Sequence, residues 1–190
     1  MLNSFFLRLG FLVLGTSLIV LEGCARTDPS RFYTLSPLAI SGPETEIETP
    51  GHGVAIGVGP IKLPEHLDRP QIVTRTSRNE LELAEFDQWA GSLAGDFLRV
   101  LAENLSILLS TDRVSLYPWR KSVPVKYQVV VDLAHFEGEL GGNALLVARW
   151  TVFGGGDKKL LLMEKSRISE LSGGRGFEAM VAAQSRALGH

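Results

Sequence analysis

The residue best placed to do chemistry is Cys24, the single cysteine of this 190-residue chain, because of the segment that precedes it. Arg8 is followed by an apolar run from Leu9 to Leu21 and then by Glu22-Gly23-Cys24. A basic start, a short apolar stretch and a small residue before the cut are typical of a secretion signal peptide. The run is short for a permanent membrane span, which needs about 20 apolar residues. We therefore predict that residues 1–23 are removed on export.

The chemistry predicted for Cys24 is acylation of its thiol. In Leu21-Glu22-Gly23-Cys24, Leu stands three positions before the cut, Gly immediately before it and Cys immediately after it, as in a bacterial lipoprotein signal. The sulfur is nucleophilic enough to accept a diacylglycerol, and an N-acyl chain on the new amino terminus follows. Several acyl chains hold a protein on a membrane durably. The alternatives are a plain signal peptide with a chance cysteine or an uncleaved anchor, and Glu22 departs from the small uncharged residue usual there.

The residue after the cysteine, Ala25, predicts which membrane holds the protein. In enterobacterial sorting, Asp at this position retains a lipoprotein in the inner membrane. Ala25 therefore favours the outer membrane, with the domain facing the periplasm. No second long apolar stretch follows, so we expect the lipid to be the only membrane attachment.

The rest of the chain lacks the residue patterns of an active site or a metal centre. The four histidines lack metal-ligand spacing, and a structural role is the favoured interpretation of His135. Asp132, Glu137 and Glu139 gather near one strand end, where we expect solvated carboxylates rather than an acid–base pair. A hydrolase stays an alternative only if Asp132, His135 and Glu137 surround a cleft. We predict no catalytic residue, no metal and no cofactor apart from the lipid on Cys24. The histidines are His52, His66, His135 and His190.

Two glycine-rich segments do not fit nucleotide-binding motifs. Gly57-Val58-Gly59 follows a strand but precedes Pro60 instead of a helix. Gly154-Gly155-Gly156 lies between two strands and lacks the Lys-Ser/Thr of a phosphate-binding loop, so we interpret it as a turn. The net charge of −2 gives no electrostatic case for binding nucleic acid or anionic lipid.

Hydrophobic periodicity divides the mature chain into a tether over 24–30 and one domain over 31–190, a suitable length for a single core. The last three predicted strands are long and form an antiparallel meander with glycine-rich turns. The predicted strands are Arg31–Leu35, Val54–Val58 (ended by Gly59-Pro60), Ile72–Thr76, Glu80–Ala84, Val114–Tyr117, a strand from Tyr127 to a turn over Glu137–Asn143, Ala144–Phe153 and Lys159–Glu170, with an exposed loop over Ser41–Gly53.

An apolar stripe with three- and four-residue spacing predicts a long amphipathic helix from about Asp87 to Ser110. The spacing of Phe177 to Leu188 predicts a second helix, short enough to be marginal alone. It is either truncated relative to related chains or docks on the sheet. We predict an α+β fold: a mixed, largely antiparallel sheet with the long amphipathic helix and a C-terminal helix packed on one face.

Several blocks together resemble the PqiC family, also called YmbA-like, of ABC- and MCE-type transport auxiliary lipoproteins. These blocks are the lipoprotein signal at Cys24, Arg31-Phe32-Tyr33-Thr34-Leu35, Ile56–Pro64, Leu67–Arg75 with its Arg-Pro-Gln-Ile-Val, Asn79–Phe86 before Trp89-Ala90, Leu101–Leu105 and the strand Tyr127–Asp132. The resemblance covers nearly all of the mature chain. Glu22 and the end of the chain at His190 depart from the family pattern.

The resemblance implies an adaptor in an intermembrane phospholipid transport system that maintains the envelope. Its implied partners are a PqiB-like MCE protein and a PqiA-like inner-membrane protein, and a homo-oligomeric ring would suit the end of a symmetric tube. Contact residues are unknown; exposed candidates are the turns over 77–80, 137–143 and 154–158 and the segment His66 to Arg69.

A periplasmic lipid-binding carrier or chaperone is the alternative to an adaptor. In that case the sheet and the long helix would enclose an acyl-chain pocket. Six aromatic side chains could line it: Phe86, Trp89, Phe97, Phe136, Trp150 and Phe153. A filled interior would argue against the carrier.

Overall fold

The computed structural model describes residues 28–39, 53–120 and 122–190, so Gly23, Cys24 and most of the loop predicted over 41–53 lie outside the described residues. In the described part, alternating and continuous apolar segments form strands, and one amphipathic segment forms the longer helix. The strands are β1 (Arg31–Tyr33), β2 (Ile56–Lys62), β3 (Gln71–Ser77), β4 (Glu80–Trp89), β5 (Val114–Leu116), β6 (Tyr127–Gly138), β7 (Asn143–Gly154) and β8 (Leu160–Leu171), and the helices are α1 (Leu93–Leu108) and α2 (Phe177–Ala187).

These strands form one eight-stranded mixed sheet that curls into a half-barrel, which confirms the predicted α+β fold. Strand β6 is central: β7 pairs with it antiparallel along its length, and β8 pairs antiparallel with β7. On its other side β6 has β2 parallel to its first half and β3 parallel at Gly138. Strand β5 extends the sheet from β2, while β4 and then β1 extend it from β3.

Both helices pack against the sheet and contribute side chains to the same buried core. The Phe97 ring of α1 meets the Phe136 ring of β6 edge to face, with centroids 5.2 Å apart. From α2, Gln184 Nε2 donates to the Phe136 carbonyl at 2.7 Å, and Met180 is fully buried. The short second helix therefore docks on the sheet, which supplies the stability that a helix of this length lacks alone.

The predicted start of the long helix was wrong. Residues from Asp87 to Trp89 belong to β4, where they pair with β1, and the helix begins at Leu93. Ser92 caps it, because its side chain accepts a hydrogen bond from the Gly95 N–H. Phe86 and Trp89 are thus strand residues whose spacing happens to continue the helical stripe.

Strands β2 and β6 also run further than predicted. Strand β2 continues through Gly59-Pro60, because Gly59 takes a positive φ of 107° and the pairing register shifts between Val58 and Ile61. Strand β6 continues through a register shift between Leu133 and His135 as far as Gly138, so the following turn is shorter than predicted.

Candidate functional site

The segment after the predicted lipidated cysteine is fixed to the domain through Asp87. Strand β1 pairs parallel with the end of β4, with Arg31 beside Asp87 and Tyr33 beside Trp89. The nearly buried Asp87 carboxylate accepts from Arg31 Nη2 at 2.8 Å and from the Tyr33 hydroxyl at 2.6 Å. Burial and the hydrogen bond to Asp87 raise the pKa of Tyr33 to about 12. Alternation in the strand makes this possible, since Arg31 and Tyr33 point to the same side.

A second set of bonds fixes the residues that follow β1 onto α1. The Asp96 carboxylate accepts from the Thr34 hydroxyl at 2.9 Å and from the Leu35 N–H at 2.5 Å. Arg99 bridges the same carboxylate at 2.6 Å and donates to the Leu35 carbonyl at 2.8 Å. Leu35 itself is 1% exposed, so the chain enters the core immediately after the tether.

Asn104 then joins this segment to both helices. Its Oδ1 accepts from the Leu38 N–H at 2.8 Å and its Nδ2 donates to the Leu188 carbonyl at 3.1 Å. Ser36 N–H donates to the Ser185 hydroxyl of α2 at 3.1 Å. The sequence analysis missed Asp87, Asp96 and Asn104, because each forms its hydrogen bonds with a segment that is distant in the sequence.

Two of the residues named for the hydrolase alternative, His135 and Glu137, lie in one hydrogen-bonded cluster with Arg75. Glu137 Oε1 accepts from Arg75 Nη2 at 2.6 Å and lies 2.8 Å from His135 Nδ1, and Oε2 accepts from the Phe136 N–H at 2.9 Å. Asp132 takes no part in this cluster and pairs with Lys62 at 3.6 Å. Asp132, His135 and Glu137 therefore do not come together as the hydrolase alternative requires.

The expectation that Glu137 is solvated was wrong, since it is 1% exposed. Burial alone would raise the pKa of Glu137, but the hydrogen bonds from His135 and Arg75 outweigh it and lower that pKa below its ordinary value. Glu139, by contrast, is exposed in the turn after β6, as predicted. Sequence gave no sign of Arg75 as the partner.

The aromatic side chains proposed for an acyl pocket mostly fill the core. Trp89, Phe97 and Phe136 are buried at 5%, 0% and 1% exposure, and Trp150 packs against the same cluster. Phe86 and Phe153 are half-buried. An open depression of about 490 Å³ lies elsewhere, lined by none of these aromatic residues. It is lined by Gly53, Val54, Ala55, Arg113, Pro124, Val125 and Lys126.

The turns predicted as contact candidates are exposed only in part. Residues 77–80 and 156–158 are exposed, whereas Glu137 and Gly138 at the start of the turn over 137–143 are buried. In the segment His66 to Arg69, Leu67 is buried in the core, and His66 Nε2 and Arg69 Nε are buried without a hydrogen-bond partner. Within the described ranges there is no group of side chains suited to a metal ion, and no helix there is long and apolar enough to cross a membrane.

Comparisons with known proteins agree with this architecture. The model of the ABC-type transport auxiliary lipoprotein component family matches residues 33–190. Among solved structures, an uncharacterized protein is similar at a TM-score of 0.68 with 16% identity, covering 85% of this chain and 93% of that one. A Xanthomonas campestris protein of the family DUF330 is similar at 0.67 with 16% identity, covering 84% and 88%. No curated protein matches the sequence.

Proposed function

This chain belongs to the family of ABC-type transport auxiliary lipoprotein components, and from that premise we propose that it is a non-catalytic adaptor of an MCE-type phospholipid transport system. The family match over 33–190 is the observation that carries the proposal. The proposed location is the periplasmic face of the outer membrane, where a diacylglycerol and an N-acyl chain on Cys24 would hold the protein. Partners are then a PqiB-like MCE protein and, at the inner membrane, a PqiA-like protein.

The anchoring of β1 supports a domain held close to the bilayer. Only the residues between Cys24 and Arg31 separate the proposed lipid from the sheet, a reach of at most about 25 Å when fully extended. Because Asp87 and Asp96 fix the next residues, that reach cannot lengthen without breaking these bonds. A docking component at the end of a periplasmic tube needs such a fixed height. A symmetric tube further favours a homo-oligomeric ring of this protein.

Packing favours the adaptor over a lipid carrier. A carrier would need an apolar cavity beneath the sheet, and Phe97 and Phe136 occupy that space in direct ring contact. The open depression beside Arg113 and Lys126 lies outside that space, and none of the six aromatic side chains named for an acyl pocket lines it.

The decisive experiment purifies the acylated protein from detergent-solubilised envelope and identifies co-purified proteins and lipids by mass spectrometry. We expect an MCE-domain protein, and no stoichiometric lipid beyond that on Cys24. Stoichiometric free phospholipid without an MCE protein would refute the adaptor in favour of the carrier. A matched Cys24→Ser variant controls for proteins that associate through the lipid anchor alone.

A further inference from the structure

The last strand, β8, exposes an apolar run on an edge of the sheet. Within the described residues β8 pairs only with β7, so its other edge carries unpaired backbone groups. Four consecutive apolar side chains at its start are about half exposed on both faces of the strand: Leu160, Leu161, Leu162 and Met163. A long exposed apolar edge pairs readily with another strand, and natural proteins usually protect it.

The same edge of β8 carries positive charge on one face. Met163, Lys165 and Arg167 alternate along the regularly paired part of the strand and therefore share a face. Lys165 and Arg167 are exposed and form no ion pair within the described ranges. A strand suited to pair with this face needs acidic and apolar side chains at alternate positions.

Strand β4 has that pattern along an edge that is also open. On the side away from β3, it pairs only with β1, over Asp87 to Trp89, which leaves residues 80–86 uncovered among the described residues. Glu80 and Glu82 are exposed there, as is Leu83 at 45%. Neither glutamate has an ion pair in the described part of the chain.

We propose that the free edge of β8 pairs with residues 80–86 of β4 in a second copy of this chain. In the antiparallel register that sets Lys165 opposite Glu82, Arg167 falls opposite Glu80. This register aligns two ion pairs on one face, within the stretches of β4 and β8 whose pairing in the sheet is regular. Cross-strand pairs of opposite charge stabilise antiparallel strands.

Two copies of β8 are poorly suited to pair with each other. Symmetric antiparallel pairing keeps each face of one strand on the same face of its partner. No symmetric register then sets Lys165 or Arg167 opposite a carboxylate, because Glu164 and Glu170 lie on the other face, and the register that sets Lys165 opposite Arg167 brings like charges together. Like charges placed opposite each other destabilise a sheet, so the contact between β8 and β4 is favoured.

A contact between two different edges is heterologous, so repeating it produces a closed ring or an open filament. This inference deepens the ring suggested under the proposed function and rests on it only for the ring's role. Self-association of the purified chain tests the contact without any transport partner. It can therefore fail while the envelope purification still recovers an MCE protein, and the reverse also holds.

The test measures sedimentation velocity of residues 24–190 carrying Cys24→Ser, which retain every described residue but accept no lipid. We expect concentration-dependent assembly that weakens at least tenfold in Lys165→Glu/Arg167→Glu and equally in Glu80→Lys/Glu82→Lys. Mixing the two double variants should restore assembly, because each acidic edge then meets a basic one. Arg120→Glu/Arg175→Glu, which reverses two exposed cations outside both strands, should assemble normally.

Three results would overturn the proposal. The first is a chain that stays monomeric across the micromolar range. The second is assembly that survives the β8 charge reversal, and the third is a mixture of the two double variants that assembles no better than either alone. Thermal melts of the variants exclude unfolding as a cause of lost assembly. Flotation of the monomer with anionic phospholipid vesicles, lost in Lys165→Glu/Arg167→Glu, would reassign the surface to a membrane.

Discussion

Replacing Glu137 by Gln should destabilise the domain strongly, because the change keeps the shape of the side chain and removes its charge. The carboxylate is 1% exposed and accepts from Arg75, from the Phe136 N–H and, with the appropriate tautomer, from His135. The Arg75 side chain is 22% exposed, so it would keep only part of its hydration once unpaired. Removing one partner of a buried ion pair typically costs 3–5 kcal/mol. The partial exposure of Arg75 sets our expectation at the lower end, about 3 kcal/mol.

Urea unfolding at neutral pH measures this loss, and thermal unfolding should show a fall of roughly 6–12 °C. Glu139→Gln is the matched control, because Glu139 lies exposed in the next turn and its change should have little effect. Equal unfolding midpoints for the two variants would refute the view that Glu137 is a structural ion-pair residue. Arg75→Gln/Glu137→Gln should be less destabilised than the sum of the single changes, since the two residues act as one unit.

The loss of unfolding free energy caused by Glu137→Gln should depend on pH in one direction. The pKa of Glu137 is lower in the folded state than its ordinary value of 4.5. Its stabilising contribution is therefore fully present above pH 4.5 and is lost as the pH falls through the folded-state pKa. The gap in unfolding free energy between the unmodified chain and Glu137→Gln should be largest near pH 7 and should shrink below pH 4.5. A gap that stays constant down to pH 3 would contradict the argument.

Three further predictions concern the tether and its attachment. Ala25→Asp should move the protein from the outer to the inner membrane fraction on a sucrose gradient; unchanged distribution would count against sorting by this position. Tyr33 should ionise near pH 12 in ultraviolet difference spectra, and Asp87→Asn should lower that pKa. The contribution of the protonated Tyr33 to stability is fully present below its ordinary pKa of 10 and is lost as the pH rises toward 12. Asn104→Ala removes two hydrogen bonds at a side chain that is 1% exposed and should cost about 2–3 kcal/mol by urea unfolding, whereas exposed Asn143→Ala should cost under about 0.5 kcal/mol.

Local pattern was sufficient to predict the meander and both helices, since strand alternation and helical spacing are properties of neighbouring residues. It failed from Phe86 to Trp89, where the apolar spacing fits a helix and a strand equally. The deciding interaction is pairing with β1, more than fifty residues away in sequence, which no local window contains. The prediction that β2 ends at Gly59-Pro60 failed for a related reason. Proline usually ends a strand, but a register shift lets β2 continue past it.

The chemistry of Glu137 was unpredictable on similar grounds. Near the end of a strand, a carboxylate is ordinarily solvated. Arg75, 62 residues earlier, compensates the burial of Glu137 together with His135 and the Phe136 N–H. His135, which the sequence analysis interprets as structural, lies with its Nδ1 2.8 Å from Glu137 Oε1. The prediction that Cys24 is acylated rests on a short linear motif and not on the fold, so the sequence alone is enough to make it.

Net charge of −2 concealed how the charges are distributed over the sheet. Glu80 and Glu82 alternate with apolar residues on one strand, Lys165 and Arg167 stand two positions apart on another, and both patterns are visible in the sequence. Whether such a stripe meets solvent, its own sheet or another molecule depends on which strands form the edges. The topology places both stripes on edges that are open in the described residues, so a nearly neutral chain presents two surfaces of opposite charge. The charge-swap mixture tests that complementarity directly, because no uniform effect of net charge can restore assembly only when the two variants are combined.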